Sequence, residues 1–103
     1  MDSLRIHGGM PLNGRIAVSG AKNAALPLMA AGLATSGTLT LENVPRLVDT
    51  ASMEALLANH GLNVVRDDLT LHIDGAASNL DAPYDLVRKM RASVLVLGPL
   101  LGR

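Results

Sequence analysis

Ser19-Gly20-Ala21-Lys22-Asn23-Ala24-Ala25-Leu26-Pro27-Leu28 is the stretch whose reading decides the fold. Strand-like alternation over Arg15-Ile16-Ala17-Val18-Ser19 stops at Gly20, and an Ala-, Leu- and Met-rich segment then runs to about Ala34. This is a strand, a glycine turn and a helix. The helix is predicted over 22–34 and is apolar nearly all round, which suits burial between two layers. Pro27 falls in its second turn and is expected to bend its start. Lys22 and Asn23 stand at its head. Backbone N–H groups there lack intrahelical partners and the helix dipole favours negative charge, so an anion is a natural companion for the lysine. Two readings are open: an anion site with lysine as charge and asparagine as directional amide, or a solvated lysine beside a locally capping Asn23.

Outward from that turn, Leu4-Arg5-Ile6-His7 alternates like a strand, and Gly8-Gly9 and Asn13-Gly14 are turn signals, so residues 4–19 read as a hairpin-like pair. Thr38–Glu42 reads as a strand broken by Asn43-Val44-Pro45. Asp49 or Thr50 can cap a helix that ends at His60, with Gly61 as its stop. Leu62–Arg66 and Leu69–Ile73 read as strands joined at Asp67-Asp68. Pro83 opens a last helix expected to reach Leu97, before Gly98-Pro99. From Arg15 the order is βαβαββ, an α/β unit whose helices pack on one face of a sheet.

The chain has 103 residues, enough for one small domain. It is 49% hydrophobic with no Phe, no Trp and one Tyr, so its core is aliphatic and offers no aromatic platform for single-stranded nucleic acid. Nine basic and nine acidic residues cancel, which removes any global field toward nucleic acid or an anionic membrane. No cysteine is present, so thiol chemistry from these residues is excluded. The N-terminus lacks a signal-peptide layout, and the longest apolar run, Ala24–Ala34, is interrupted by Pro27 and Gly32 and is too short to span a bilayer. His7, His60 and His72 show no metal-ligand spacing and read as structural or solvated. Arg88 and Arg91, three apart, are expected to share a helix face opposite Leu86, Met90, Val94 and Leu97. They are either a bidentate grip on a phosphate or carboxylate, or a solvated basic face near Asp85. The sequence ends Leu100-Leu101-Gly102-Arg103, just past an apolar stretch and without a polar tail, which suggests a portion of a longer protein that leaves apolar faces uncovered and tends to self-associate.

Taken in order, Leu12-Asn13-Gly14, Ser19 to Pro27, Asn43-Val44-Pro45, Met90-Arg91-Ala92-Ser93 and Leu97-Gly98-Pro99-Leu100 resemble the opening of the UDP-N-acetylglucosamine branch of the enolpyruvyl transferase family. The resemblance covers essentially this whole chain and only the first part of the family's length. It implies two domains, each built from βαβαββ units as an inside-out α/β barrel, with a cleft between them. Residues 1–20 would be strands of a second domain mostly absent from this sequence, and residues 21–103 the first part of the other domain. It implies transfer of the enolpyruvyl group of phosphoenolpyruvate to the 3-hydroxyl of UDP-N-acetylglucosamine with release of phosphate, in the cytoplasm, at the first committed step of peptidoglycan synthesis.

No metal or organic cofactor is implied. The implied partners are the two small-molecule substrates, together with the remainder of the enzyme chain or a second copy, and neither nucleic acid nor a membrane. By the same resemblance, Lys22 is a catalytic contact to phosphoenolpyruvate, Asn23 shares that site and touches the UDP-sugar, and Arg91 binds UDP-N-acetylglucosamine. The family's loop with its catalytic cysteine would follow Arg103, so these residues alone are expected to be inactive. Many relatives carry a second acidic residue soon after the position of Asp49, where this chain has Thr50-Ala51-Ser52, so Asp49 is given no role. The shikimate-pathway enolpyruvyl transferases are the nearest rival; their corresponding turn resembles Gly-Ser-Lys-Ser. A non-catalytic anion-binding or interaction module is the alternative of a different class.

Overall fold

The computed structural model describes residues 1–102. Helix α1 spans Lys22–Ala30 and tightens into a 3-10 turn over Ala31–Ala34, close to the predicted span. It passes through Pro27, whose missing N–H leaves the Asn23 carbonyl without its helical partner. One face of α1 is buried, with Ala25, Leu26, Met29 and Ala30. The expectation of burial all round fails on the other face, where Leu28 is 53% exposed.

Strand β1 (Leu39–Leu41) is followed by α2 (Val48–Asn59), then β2 (Asn63–Asp67) and β3 (Thr70–Asp74). β3 is central and antiparallel to both neighbours in the order β1-β3-β2. Asp67 pairs with Thr70, so the two-residue turn is Asp68-Leu69, one position later than the sequence suggested. Asp68 takes a φ of 52°, a left-handed conformation that Asp tolerates. Alternation along the strands turns Leu71 and Ile73 into the core and His72 outward, where its Nδ1 lies 3.1 Å from the hydroxyl of cross-strand Thr40.

Helices α1 and α2 pack against each other over the inner face of the sheet, around Met29, Leu33, Met53, Leu56, Leu57, Leu71 and Ile73. The core is aliphatic throughout. Neither Asp49 nor Thr50 is the cap of α2. Leu47 occupies that position and Thr50 lies one turn in, where its Oγ1 accepts from the Leu47 N–H at 3.0 Å and donates toward the Pro45 carbonyl at 2.8 Å. Gly61 (φ +99°) ends the helix as predicted: its N–H donates to the Ala58 carbonyl and that of Leu62 to the Leu57 carbonyl. His60 is buried, with Nδ1 2.8 Å from the Asn79 carbonyl oxygen, which bears out a structural reading.

The last predicted helix is not continuous. It is split into α3 (Tyr84–Val87), a 3-10 helix over Arg91–Val96, and α4 (Leu97–Leu101). Met90 is extended between the first two, with φ −144° and ψ 120°, and turns its side chain into the core. An α-helix running through Pro99 would drive its ring into the Leu95 carbonyl, so α geometry starts at Leu97 and places Pro99 in a first turn. The break separates Arg88 from Arg91 and overturns their shared face. It also exposes Val94 (65%) and Leu97 (52%), both expected on an apolar stripe.

The hairpin expected before Gly20 is absent: residues 1–19 carry no strand and are exposed, with Leu4, Ile6, Ile16 and Val18 each at least 80% accessible. Nothing within these residues offers a sheet edge and a core face together, and an isolated hairpin is marginal in water. This arm stretches the molecule to a radius of gyration of 17.0 Å, against about 13 Å for a compact chain of this size.

The Asn43-Val44-Pro45 turn ties the elements together. Asn43 is left-handed (φ 56°), and the Val44 N–H donates to the Leu69 carbonyl at 2.8 Å. The Arg66 guanidinium reaches from β2 to the Val44 and Asp68 carbonyls, both at 3.1 Å, and grips Glu54 of α2 through Nε at 2.9 Å and Nη2 on the same oxygen. Both side chains of this pair are largely shielded. Arg66→Ala is expected to destabilise the chain by about 2 kcal/mol in urea unfolding, because Glu54 and the Val44 carbonyl lose a charged partner away from bulk water. Gly20 packs so closely on the same turn that an added Cβ would fall onto the Asn43 carbonyl. Gly20→Ala should therefore displace the start of α1, read as large amide NMR shifts at Lys22 and Asn23, whereas Gly14→Ala, where a Cβ meets nothing within 4 Å, should leave them in place.

Candidate functional site

Lys22 and Asn23 are the first two residues of α1, after Ala21 in extended conformation. No side chain caps this helix start and no acidic residue lies in its first turn. The N–H groups of Ala24 and Ala25 return to the Ala21 carbonyl, at 3.2 and 2.9 Å. Those of Lys22 and Asn23 are among the donors that a helix cannot satisfy internally. A lysine at this end is opposed by the dipole, and the structure supplies its counter-charge: Lys22 Nζ lies 2.9 Å from Asp49 Oδ2. Asp49 stands in the first turn of α2, where the dipole favours a carboxylate. Two helix starts thus converge, one bearing the cation and the other the anion.

Arg91 comes from the far end of the sequence. The Met90-Arg91-Ala92-Ser93 run places it through a division of labour. Met90 is anchored in the core, and the buried Ser93 hydroxyl bridges back to the Met90 and Val87 carbonyls at 2.6 and 3.0 Å. That leaves Arg91 at the surface, and the 3-10 helix packs on α1. Lys22, Asn23, Asp49 and Arg91 line one cavity of about 370 Å³, with Leu26, Met90 and Leu95 among its apolar walls. Neither the Asn23 nor the Arg91 side chain has a hydrogen-bond or ion-pair partner among the described residues, so the cavity holds an amide and a guanidinium with unused donors.

The three residues singled out from sequence therefore meet at one site. Arg88 does not join it: its guanidinium pairs with Asp85 at 3.2 Å and lies over the Tyr84 ring, 5.8 Å from the centroid, as the solvated reading expected. A larger, mostly apolar hollow of about 540 Å³ adjoins the site, sharing Met90, Arg91 and Val94. It lacks both Lys22 and a carboxylate, so the cavity with the converging charges is the better candidate for chemistry. Sequence reasoning missed Asp49 and Ser93. Asp49 was read as a cap and given no role at the site, and its partner lies 27 positions away in a different helix; Ser93 carried a local signal, a hydroxyl three residues after Met90 in a tight turn.

Among the described residues no group of three or more His, Cys, Asp or Glu is placed to hold a metal, and no helix is long and apolar enough to cross a membrane. The arrangement can bind an acidic, partly apolar small molecule through charge-assisted hydrogen bonds.

Known proteins of similar shape and sequence agree on the class. Residues 6–103 match the family described as EPSP synthase (3-phosphoshikimate 1-carboxyvinyltransferase). Proteins from Granulibacter bethesdensis and Acidiphilium cryptum, both called UDP-N-acetylglucosamine 1-carboxyvinyltransferase, are each 59% identical over the whole of this chain. A third of that name, from Rhodospirillum centenum, is 56% identical. The chain spans about a quarter of the length of these curated relatives. The crystal structure of the enolpyruvyl transferase NikO from Streptomyces tendae superposes with a TM-score of 0.79 at 31% identity, over 95% of this chain and 23% of that one. An α/β fold with helices over one face of the sheet, the order of its motifs and these likenesses place the chain in the enolpyruvyl (carboxyvinyl) transferase family.

Proposed function

We propose that this chain contributes the phosphoenolpyruvate-binding wall of an enzyme that transfers an enolpyruvyl group to UDP-N-acetylglucosamine. The observation that carries the reading is the single cavity shared by Lys22, Asn23 and Arg91, residues drawn from two distant parts of the sequence. In the reaction the 3-hydroxyl of the sugar gives up its proton to a base as its oxygen adds to C2 of phosphoenolpyruvate and an acid protonates C3. A proton then leaves C3, the C2–O bond to phosphate breaks, and inorganic phosphate departs. Negative charge is present throughout on the phosphate and carboxylate of the three-carbon unit, so fixed cations and directed N–H donors are the protein's main contribution at this wall.

Lys22 meets the acidic groups of phosphoenolpyruvate, Asn23 supplies a directional amide that the two substrates share, and Arg91 holds the UDP-sugar by its planar fork of donors. The relatives' shared name favours UDP-N-acetylglucosamine over shikimate 3-phosphate as acceptor. This reading puts the protein in the cytoplasm, at the entry to peptidoglycan synthesis. It makes residues 1–20 strands of a second domain that form on pairing there, which agrees with an arm whose apolar side chains are uncovered. Residues 21–103 belong to the other domain.

Lys22→Ala in the full-length gene product is expected to weaken phosphoenolpyruvate binding, titrated calorimetrically with UDP-N-acetylglucosamine present, by about tenfold or more, the loss of one charge-assisted contact. The same protein should release phosphate with UDP-N-acetylglucosamine and not with shikimate 3-phosphate; the reverse preference would assign it to the rival branch. The 103-residue chain by itself, which holds no cysteine, should release none from either pair of substrates.

A further inference from the structure

Among the polar side chains that line the cavity, Asp49 is the one that the proposed reaction leaves without a task. Its Oδ2 lies 2.9 Å from Lys22 Nζ, and both side chains line the same cavity as Asn23 and Arg91. The pair is not placed to hold the fold: the lysine side chain is 48% exposed and the aspartate 30%, a setting in which ion pairs contribute little to stability. Its geometry suits orientation. A lysine carries four rotatable bonds, and at a helix start it is repelled toward solvent by the dipole. Asp49 is itself well fixed, because the Thr50 side chain beside it ties the first turn of α2 to both Leu47 and Pro45. An ammonium has three donors, so the bond to Asp49 leaves two for a ligand.

We infer that Asp49 is a positioning residue: it holds the Lys22 ammonium at the cavity wall before any ligand arrives, so that a phosphate or carboxylate meets a cation already fixed. The inference rests on the reading of Lys22 as the phosphoenolpyruvate contact. It opposes a simple electrostatic expectation, under which a carboxylate in the cavity only repels an acidic ligand and its removal tightens binding.

A double-mutant cycle separates the two. Phosphoenolpyruvate is titrated calorimetrically, with UDP-N-acetylglucosamine present, into the full-length gene product and into its Lys22→Ala, Asp49→Ala and doubly substituted forms. Asp49→Ala should weaken binding about fivefold, the cost of ordering one long side chain on association. It should add nothing in the Lys22→Ala background and leave the melting midpoint unchanged. Asp49→Glu should restore most of the loss. Should the alanine variant melt early, Asp49→Asn, which keeps the shape and removes the charge, is expected to show the same weakening. Tighter or unchanged binding by Asp49→Ala, or an equal effect with and without Lys22, overturns the inference alone. Unchanged binding by Lys22→Ala overturns the reading of Lys22 and the inference with it.

Discussion

The turn at Asn43-Val44-Pro45 is the constraint on which the rest of the structure depends. Its backbone groups are claimed from four sides: by Leu69 of the β-turn, by the Arg66 guanidinium, by the Thr50 hydroxyl, and by the close approach of Gly20. Arg66 adds Glu54 to the same network, so the sheet, the start of α2 and the approach to α1 are fixed relative to one another by a few polar contacts. The aliphatic core supplies most of the driving force for folding but no direction. These hydrogen bonds supply the register that brings the heads of α1 and α2 side by side.

That register has a chemical result. A helix start is a weak anion site, and a lysine in a first turn is disfavoured by the same dipole. Two starts side by side resolve the conflict, since the carboxylate of Asp49 neutralises Lys22 without filling the cavity. Arg91 completes the wall from a segment that could not have been a regular helix. Met90 must turn inward, Ser93 must reach back, and Pro99 delays α geometry to Leu97. The irregularity of residues 88–96 is what places Arg91 beside Lys22 and leaves Arg88 with Asp85 and Tyr84.

Much of the architecture was legible in residue order. The apolar run from Ala24 gave α1, alternation gave β1, β2 and β3, and Gly61 gave the end of α2, because each signal acts within a few residues. Readings that needed a distant partner failed. The alternating residues before Gly20 promised a hairpin and form an exposed arm, since a strand exists only beside another strand. The periodicity of 83–97 promised one helix, but the pull of Met90 into the core and the block at Pro99 divided it. Asp49 looked like a cap because only its neighbours in sequence were visible.

What the sequence determined by itself is an inventory: a net charge of zero with local cations, no thiol, and Lys22, Asn23 and Arg91 within motifs whose order resembles one family. Residue type and order along the chain suffice for that. Tertiary structure alone decided that these residues share one cavity, that Lys22 is held by Asp49, and that Arg88 stands outside. Those outcomes turn on distances between segments tens of residues apart, which are set by packing and by the polar ties at one turn rather than by any neighbour along the chain.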